Sequence, residues 1–189
     1  NKYPHDQKLL ADYLFIMSSE KRDLTNFSRF LVNINYVDFP EYAKLPLIQN
    51  FRDFKHFKTA IDWSNKFNIQ KSVDGRILLS VLYAEAQDVA NAKDQLSKID
   101  IKGLTADQLV RVAYAYRLIN LPVDALATVE HAYQQQPKSL SVLQEYVYDL
   151  IAIGSYKKAQ QLLQASEKTE QTVQMLQTLQ VNLSSMKST

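Results

Sequence analysis

Apolar positions recur along this chain three and four residues apart, the spacing that puts them on one face of a helix. The clearest stretch runs from Ala106 to Pro137, ADQLVRVAYAYRLINLPVDALATVEHAYQQQP. With Ala106 as position 1, apolar residues stand at 4 (Leu109), 7 (Val112), 11 (Tyr116) and 24 (Val129). Small residues stand at 8 (Ala113), 20 (Ala125) and 27 (Ala132). Each half of the stretch therefore predicts an amphipathic helix. The small residues let the two helices approach closely. Pro137 ends the second helix, because it lacks an N–H and biases Gln136 away from the helical region.

This spacing is the tetratricopeptide template, and a step of about 34 residues finds it again. Forward, over about 140–171, Leu143, Tyr146, Val147, Leu150, Ala159 and Leu163 fall on positions 4, 7, 8, 11, 20 and 24, with Gly154 and Ser155 at the turn. Backward, 73–105 carries Leu79, Tyr83, Ala92 and Leu96, with Asp88 and Val89 at the turn. Gly103 punctuates the junction to the next unit, and Thr105 with Gln108 predicts a capping box. Over 41–72 the marks are Leu47, Phe51, Ala60 and Phe67, with Ser64 a weak position 24. Pro46 predicts a late start or a bend in that first helix. A degenerate unit over 6–39 is marked by Leu9, Tyr13 and Ile16, a turn at Ser18 to Lys21, then Leu24, Phe27 and Leu31. Asn33 to Pro40 is a longer connection. A capping helix over 172–183 carries Val173, Leu176, Leu179 and Leu183, and Ser184 to Thr189 is a polar tail expected to fray. The expected fold is all-α: one tetratricopeptide-repeat domain over 1–189, a right-handed α-solenoid of four to five helix pairs plus a C-terminal cap.

Composition narrows the function. Three glycines leave no phosphate-cradling loop, and no HExxH, Walker A or GxSxG motif occurs. The absence of cysteine excludes disulfides, zinc–thiolate sites and thiol catalysis, without fixing the compartment. His5, His56 and His131 are scattered over three units, with no base or metal-ligand pattern. Glu167 and Glu170 share a face and read as a solvated helix end. A net charge of +2 argues for neither nucleic acid nor an anionic membrane surface. No apolar run is long enough to insert in a bilayer as a helix. No signal-peptide pattern is visible, and the abrupt start at Asn1 suggests a piece of a longer protein. The expectation is a non-enzymatic scaffold without cofactor or metal.

In repeats of this type the first helix of each pair lines the concave side through positions 2, 5, 9, 12 and 13. Those positions hold Tyr42, Leu45, Gln49, Arg52 and Asp53, then Asp74, Ile77, Val81, Ala84 and Glu85. The next two units supply Asp107, Val110, Tyr114, Arg117 and Leu118, then Ser141, Gln144, Tyr148, Ile151 and Ala152. The candidate groove is Tyr42, Gln49, Arg52, Asp53, Asp74, Glu85, Asp107, Tyr114, Arg117, Gln144 and Tyr148. Four carboxylates against two arginines predict a mildly acidic strip, and tyrosine offers a flat apolar face with a polar tip. Asp74 and Asp107 also lie near helix starts, where an acid stabilises the helix dipole without any ligand. The lysine and asparagine clamp used for chaperone carboxyl termini is absent. Lys55, Lys58, Lys66 and Lys71 gather around one second helix, on the side expected to be convex and solvated.

From Gln7 to about Ile151 the chain resembles the periplasmic tetratricopeptide region of the outer-membrane export porins of poly-β-1,6-N-acetyl-D-glucosamine, the PgaA/HmsH family. The resemblance rests on QKLLADYLFIMSSEKRDL, on Tyr42-Ala43 followed by Arg52-Asp53-Phe54 and Phe57, and on the VAYAYRL run from Val112 to Leu118. It implies a periplasmic module of an outer-membrane protein whose β-barrel would follow Thr189. It also implies, as partners, a periplasmic polysaccharide deacetylase and the partly de-N-acetylated polymer, guided toward the porin. The alternatives are a protein-interaction module of another envelope secretion system, such as those for alginate or cellulose, and a cytosolic regulatory complex.

Overall fold

Ten α-helices and two short 3₁₀ turns make up the regular structure of the computed structural model, which describes residues 6–19 and 30–186; no strand occurs among them. The chain divides into two compact units at Ile99/Asp100. The first holds α1 (Gln7–Ser19), α2 (Glu41–Asp53), α3 (Phe57–Phe67), α4 (Val73–Glu85) and α5 (Val89–Ser97). The second holds α6 (Ala106–Leu118), α7 (Pro122–Gln135), α8 (Leu140–Ala152), α9 (Tyr156–Ala165) and α10 (Glu170–Met186).

In the first unit each helix packs on its neighbour in sequence, the contact pattern of stacked repeats. Leu47, Phe51, Trp63, Phe67, Leu79 and Leu82 form the core, with Leu14 and Phe39 closing it. Pro46 does not delay α2, which starts at Glu41; the proline stands in its second turn. Ser64 is fully buried, and its hydroxyl is satisfied by donating to the Ala60 carbonyl at 2.7 Å. The face of α1 differs from the expected one. Leu9 and Ile16 are 48% and 55% exposed, while Ala11 and Leu14 are buried. The helix is apolar on several sides, so spacing alone does not choose the face. The buried side is anchored by Gln7, whose amide donates to the Asn33 carbonyl and accepts from the Asn35 N–H, pinning the long connection to α2. Ser18 and Ser19 are still helical, so the expected turn does not begin at Ser18. The rest of that turn, and Leu24 and Phe27, lie outside the described residues, as do His5 and the last three residues of the polar tail.

In the second unit Ala113, Ala125 and Ala132 are wholly buried, as close helix contact requires. Position 20 is a fully buried alanine in all four units, Ala60, Ala92, Ala125 and Ala159. Thr105 and Gln108 form the capping box, and Pro122 opens α7 at a position where its missing N–H costs no bond. The last helix is longer than the expected 172–183. Thr169 and Thr172 cap its start reciprocally, each hydroxyl accepting the other's N–H. Leu179 is buried in the core, with Met175 and Leu176 against it, but Val173 is 40% exposed and lies off that face.

All four helix pairs from α2 to α9 turn through the same connection. The middle residue is left-handed, with φ of 63° at Lys55, 61° at Gln87, 58° at Asn120 and 77° at Gly154. The N–H after it reaches back to the carbonyl of position 11: His56 to Phe51, Asp88 to Tyr83, Leu121 to Tyr116 and Ser155 to Leu150, at 2.8–2.9 Å. A second bond runs from the left-handed residue to the carbonyl three before it, completing a Schellman motif each time.

Candidate ligand clefts of the second unit

Arg117 organises the site. It stands in the last turn of α6, at position 12, and reaches across to α8. Its Nη1 donates to both carboxylate oxygens of Asp149 at 3.0 Å, and its Nη2 donates to Glu145 Oε2. Asp149 is 1% exposed and the Arg117 side chain 15%. Burial pushes the Asp149 carboxyl above its usual range against the pull of Arg117, and the Glu145 charge adds to the rise. Burial works against the Arg117 charge, but the bonds to Asp149 and Glu145 outweigh it and raise the guanidinium further. The arginine also lies between two rings, its Cζ 5.9 Å from the centroid of Tyr114 and 5.3 Å from that of Tyr148.

Around this arginine opens a cleft of about 480 Å³, lined by Tyr114, Arg117, Leu118, Gln144, Glu145 and Tyr148. Two carboxylates share one guanidinium, so the cluster of Arg117, Glu145 and Asp149 holds one carboxylate more than it has cations. Asp149 is sealed; the surplus is presented by Glu145, whose side chain is 36% exposed. Tyr148 is 62% exposed. A second cleft, about 530 Å³, adjoins the first through Gln144 and Tyr148 and runs between α8 and α10. Its floor is Val147, Ile151, Met175 and Leu179, and its walls carry Gln171, Gln174 and Thr178.

Of the residues expected to line a groove, the structure thus gathers Tyr114, Arg117, Gln144 and Tyr148 into one cleft. It adds Glu145 and Asp149, whose i,i+4 spacing opposite Arg117 is the signal sequence reading passed over. The others stand in different settings. Arg52 makes a bidentate pair with Glu85, at 2.7 and 2.9 Å, tying α2 to α4. Arg52 and Arg117 occupy the same position of their units, and each joins one first helix to the next. Gln49 donates to Asp53 at 2.8 Å. The Tyr42 hydroxyl donates to Asp12 at 3.2 Å, beside a mostly apolar cavity of about 290 Å³ between α1 and α2. Asp74 and Asp107 lie in the first turns of α4 and α6. Ile77, Val81 and Ala84 are buried and present no lining surface, contrary to the expectation for those positions. Of the four acids counted against two arginines, Glu85 is the one paired with an arginine, Arg52, while Arg117 is taken up by two carboxylates the count omitted, Glu145 and Asp149.

A second polar cluster joins α7, α8 and α9. Glu130 Oε1 accepts from the Tyr146 hydroxyl and, at 2.9 Å, from Lys158. These two bonds, Tyr146 first, hold the Glu130 carboxyl below its usual value. Among the lysines near α3, Lys66 Nζ lies 4.8 Å from the Trp63 ring and 5.3 Å from that of Tyr36, and Lys55 lies 5.9 Å from Phe57. Among the described residues no group of three His, Asp or Glu is placed to hold a metal ion, and no helix is long and apolar enough to cross a membrane.

No family model and no curated protein matches the chain. A solved structure named MamA MSR-1 C2, of a tetratricopeptide-type protein, is similar at 13% identity with a TM-score of 0.56, over 93% of this chain and 97% of that one. The fold is accordingly an all-α solenoid of tetratricopeptide type.

Proposed function

We propose that this solenoid is a non-enzymatic scaffold of exopolysaccharide export, holding partly de-N-acetylated poly-N-acetylglucosamine in the periplasm on its way to an outer-membrane porin. The observation that carries the reading is the cleft at Arg117. It offers an exposed tyrosine face for a sugar ring and a surplus carboxylate, Glu145, for an ammonium group. No nucleophile–base pair adjoins it, so the cleft binds without a means of bond cleavage. The resemblance to the export porins read from the sequence points the same way. Contacts of this kind are weak one by one and add along a polymer, which suits a chain in transit.

The test is an NMR titration with acetylated and de-N-acetylated β-1,6-linked oligomers. De-N-acetylated oligomers are expected to shift Tyr114, Gln144, Glu145 and Tyr148, with an effect that fades as salt rises. Shifts confined to the lysines of α3 would overturn the proposal. Shifts given by a periplasmic deacetylase but by no oligomer would leave a protein-docking scaffold in its place.

A further inference from the structure

The helix expected to act only as a cap builds half of a cleft. Along α10, Gln171, Gln174 and Thr178 face the cleft shared with α8, above Met175 and Leu179. No charged side chain lines this space. Amides and a hydroxyl over an apolar floor, beside the open ring of Tyr148, make a surface for a neutral polar ligand with an apolar edge. The adjoining cleft is different in kind. There Glu145 gives one oxygen to Arg117, and its charge is in excess of what that arginine neutralises. Tyr148 and Gln144 belong to both spaces, so one extended ligand passing Tyr148 meets a charged cleft and then a neutral one.

We infer that the two clefts are paired subsites for neighbouring units of an amino-sugar polymer, Glu145 taking a unit with a free ammonium group and the α8–α10 cleft taking a neutral N-acetylated unit. This rests on the polysaccharide reading and extends it from a polymer class to a pattern. The ammonium group needs a carboxylate with spare charge, which only the first cleft supplies. The acetamido group needs a donor and an acceptor for its C=O and N–H and an apolar floor for its methyl. The second cleft supplies these through Gln174, Thr178 and Met175. An ammonium group in the second cleft would lose water without gaining an opposite charge. The domain therefore favours mixed stretches of polymer over uniform ones of either kind.

Three β-1,6-linked hexamers serve as probes: fully acetylated, fully de-N-acetylated, and mixed. Binding is measured by calorimetry and by NMR shifts in the intact chain. The mixed hexamer is expected to bind at least fivefold more tightly than either uniform one. The acetylated hexamer should shift Gln174, Met175 and Thr178, and the de-N-acetylated one Glu145 and Tyr114. Glu145→Gln, which keeps an acceptor for Arg117, should abolish the advantage of the mixed over the acetylated hexamer. Gln174→Leu with Thr178→Val, both on an exposed face, should abolish its advantage over the de-N-acetylated one. The wild-type comparison stands even if a variant misfolds. Equal affinities for all three hexamers, with shifts centred on Tyr148, would overturn the paired subsites and leave the polysaccharide reading intact. Binding of none would overturn both.

Discussion

Replacing Arg117 by methionine isolates the contact that ties α6 to α8. The change leaves Asp149 sealed in place with no cation, and removing one partner of a buried pair costs about 3–5 kcal/mol. Arg117 retains some solvent contact, which lowers the figure; its two ring contacts, each about 0.5–1 kcal/mol, raise it. Methionine recovers part of the stem packing, so the expected loss is about 3 kcal/mol. In a chain of this size that corresponds to about 6–12 °C in melting temperature. The pH dependence gives a sharper signature. With Arg117 gone, burial and the Glu145 charge both hold the Asp149 carboxyl above its usual value. A folded-state pKa raised above the unfolded one favours folding at low pH, and the benefit is lost as pH rises through the folded value. The variant should therefore regain stability as pH falls from 7 toward 4. Adding Asp149→Leu should restore most of the loss at neutral pH, since an apolar pair replaces a broken ionic one. Thermal melts by circular dichroism across that pH range decide the matter. A variant as stable as the parent, or one whose deficit does not change with pH, would refute the reasoning.

Two further outcomes are expected. Ala125→Leu should overpack the wholly buried contact between α6 and α7 and cost about 1–3 kcal/mol in urea denaturation, whereas an unchanged midpoint would place that alanine at a looser contact. Glu130, held low by Tyr146 and Lys158, stabilises the fold above its ordinary value of 4.5, and this contribution is lost as pH falls through its lowered folded value. Glu130→Gln should flatten that part of the acid side of the stability curve; an identical acid limb would mean the cluster carries no net energy.

The helical pairing was legible because it is written in residue size. Alanine at positions 8, 20 and 27 and branched or aromatic residues at 4, 7 and 11 have one arrangement that packs. The capping box at Thr105 was legible for a similar reason, since few residues can make that bond. The face of α1 was not, because an apolar residue on nearly every side leaves the periodic signal without a direction. The clefts were half legible. Repeat position points to Tyr114, Gln144 and Tyr148, but it marks Arg117 as a ligand group although that side chain is bound to Asp149 and Glu145. The one mark within a helix is the i,i+4 acid pair Glu145 and Asp149, and that spacing does not name a partner 32 residues away. The left-handed turns at Lys55 and Gln87 were hidden for the opposite reason. The geometry there is glycine's, and the residues are not.

Those turns also govern where the chain tolerates change of length. From the first residue of α2, α4, α6 or α8 to the N–H that closes the turn is always 15 residues: Glu41 to His56, Val73 to Asp88, Ala106 to Leu121, Leu140 to Ser155. From there to the next first helix the interval grows, from 17 to 18 to 19. One residue added before the turn would displace the left-handed position and break both bonds, whereas one added after it meets no such lock. Insertions, tags and grafted loops thus belong behind the second helix of a pair. The first helix of each pair and its turn form a cassette of fixed length, although the surroundings of one position differ between repeats, as buried Val81 and exposed Tyr148 at position 9 show.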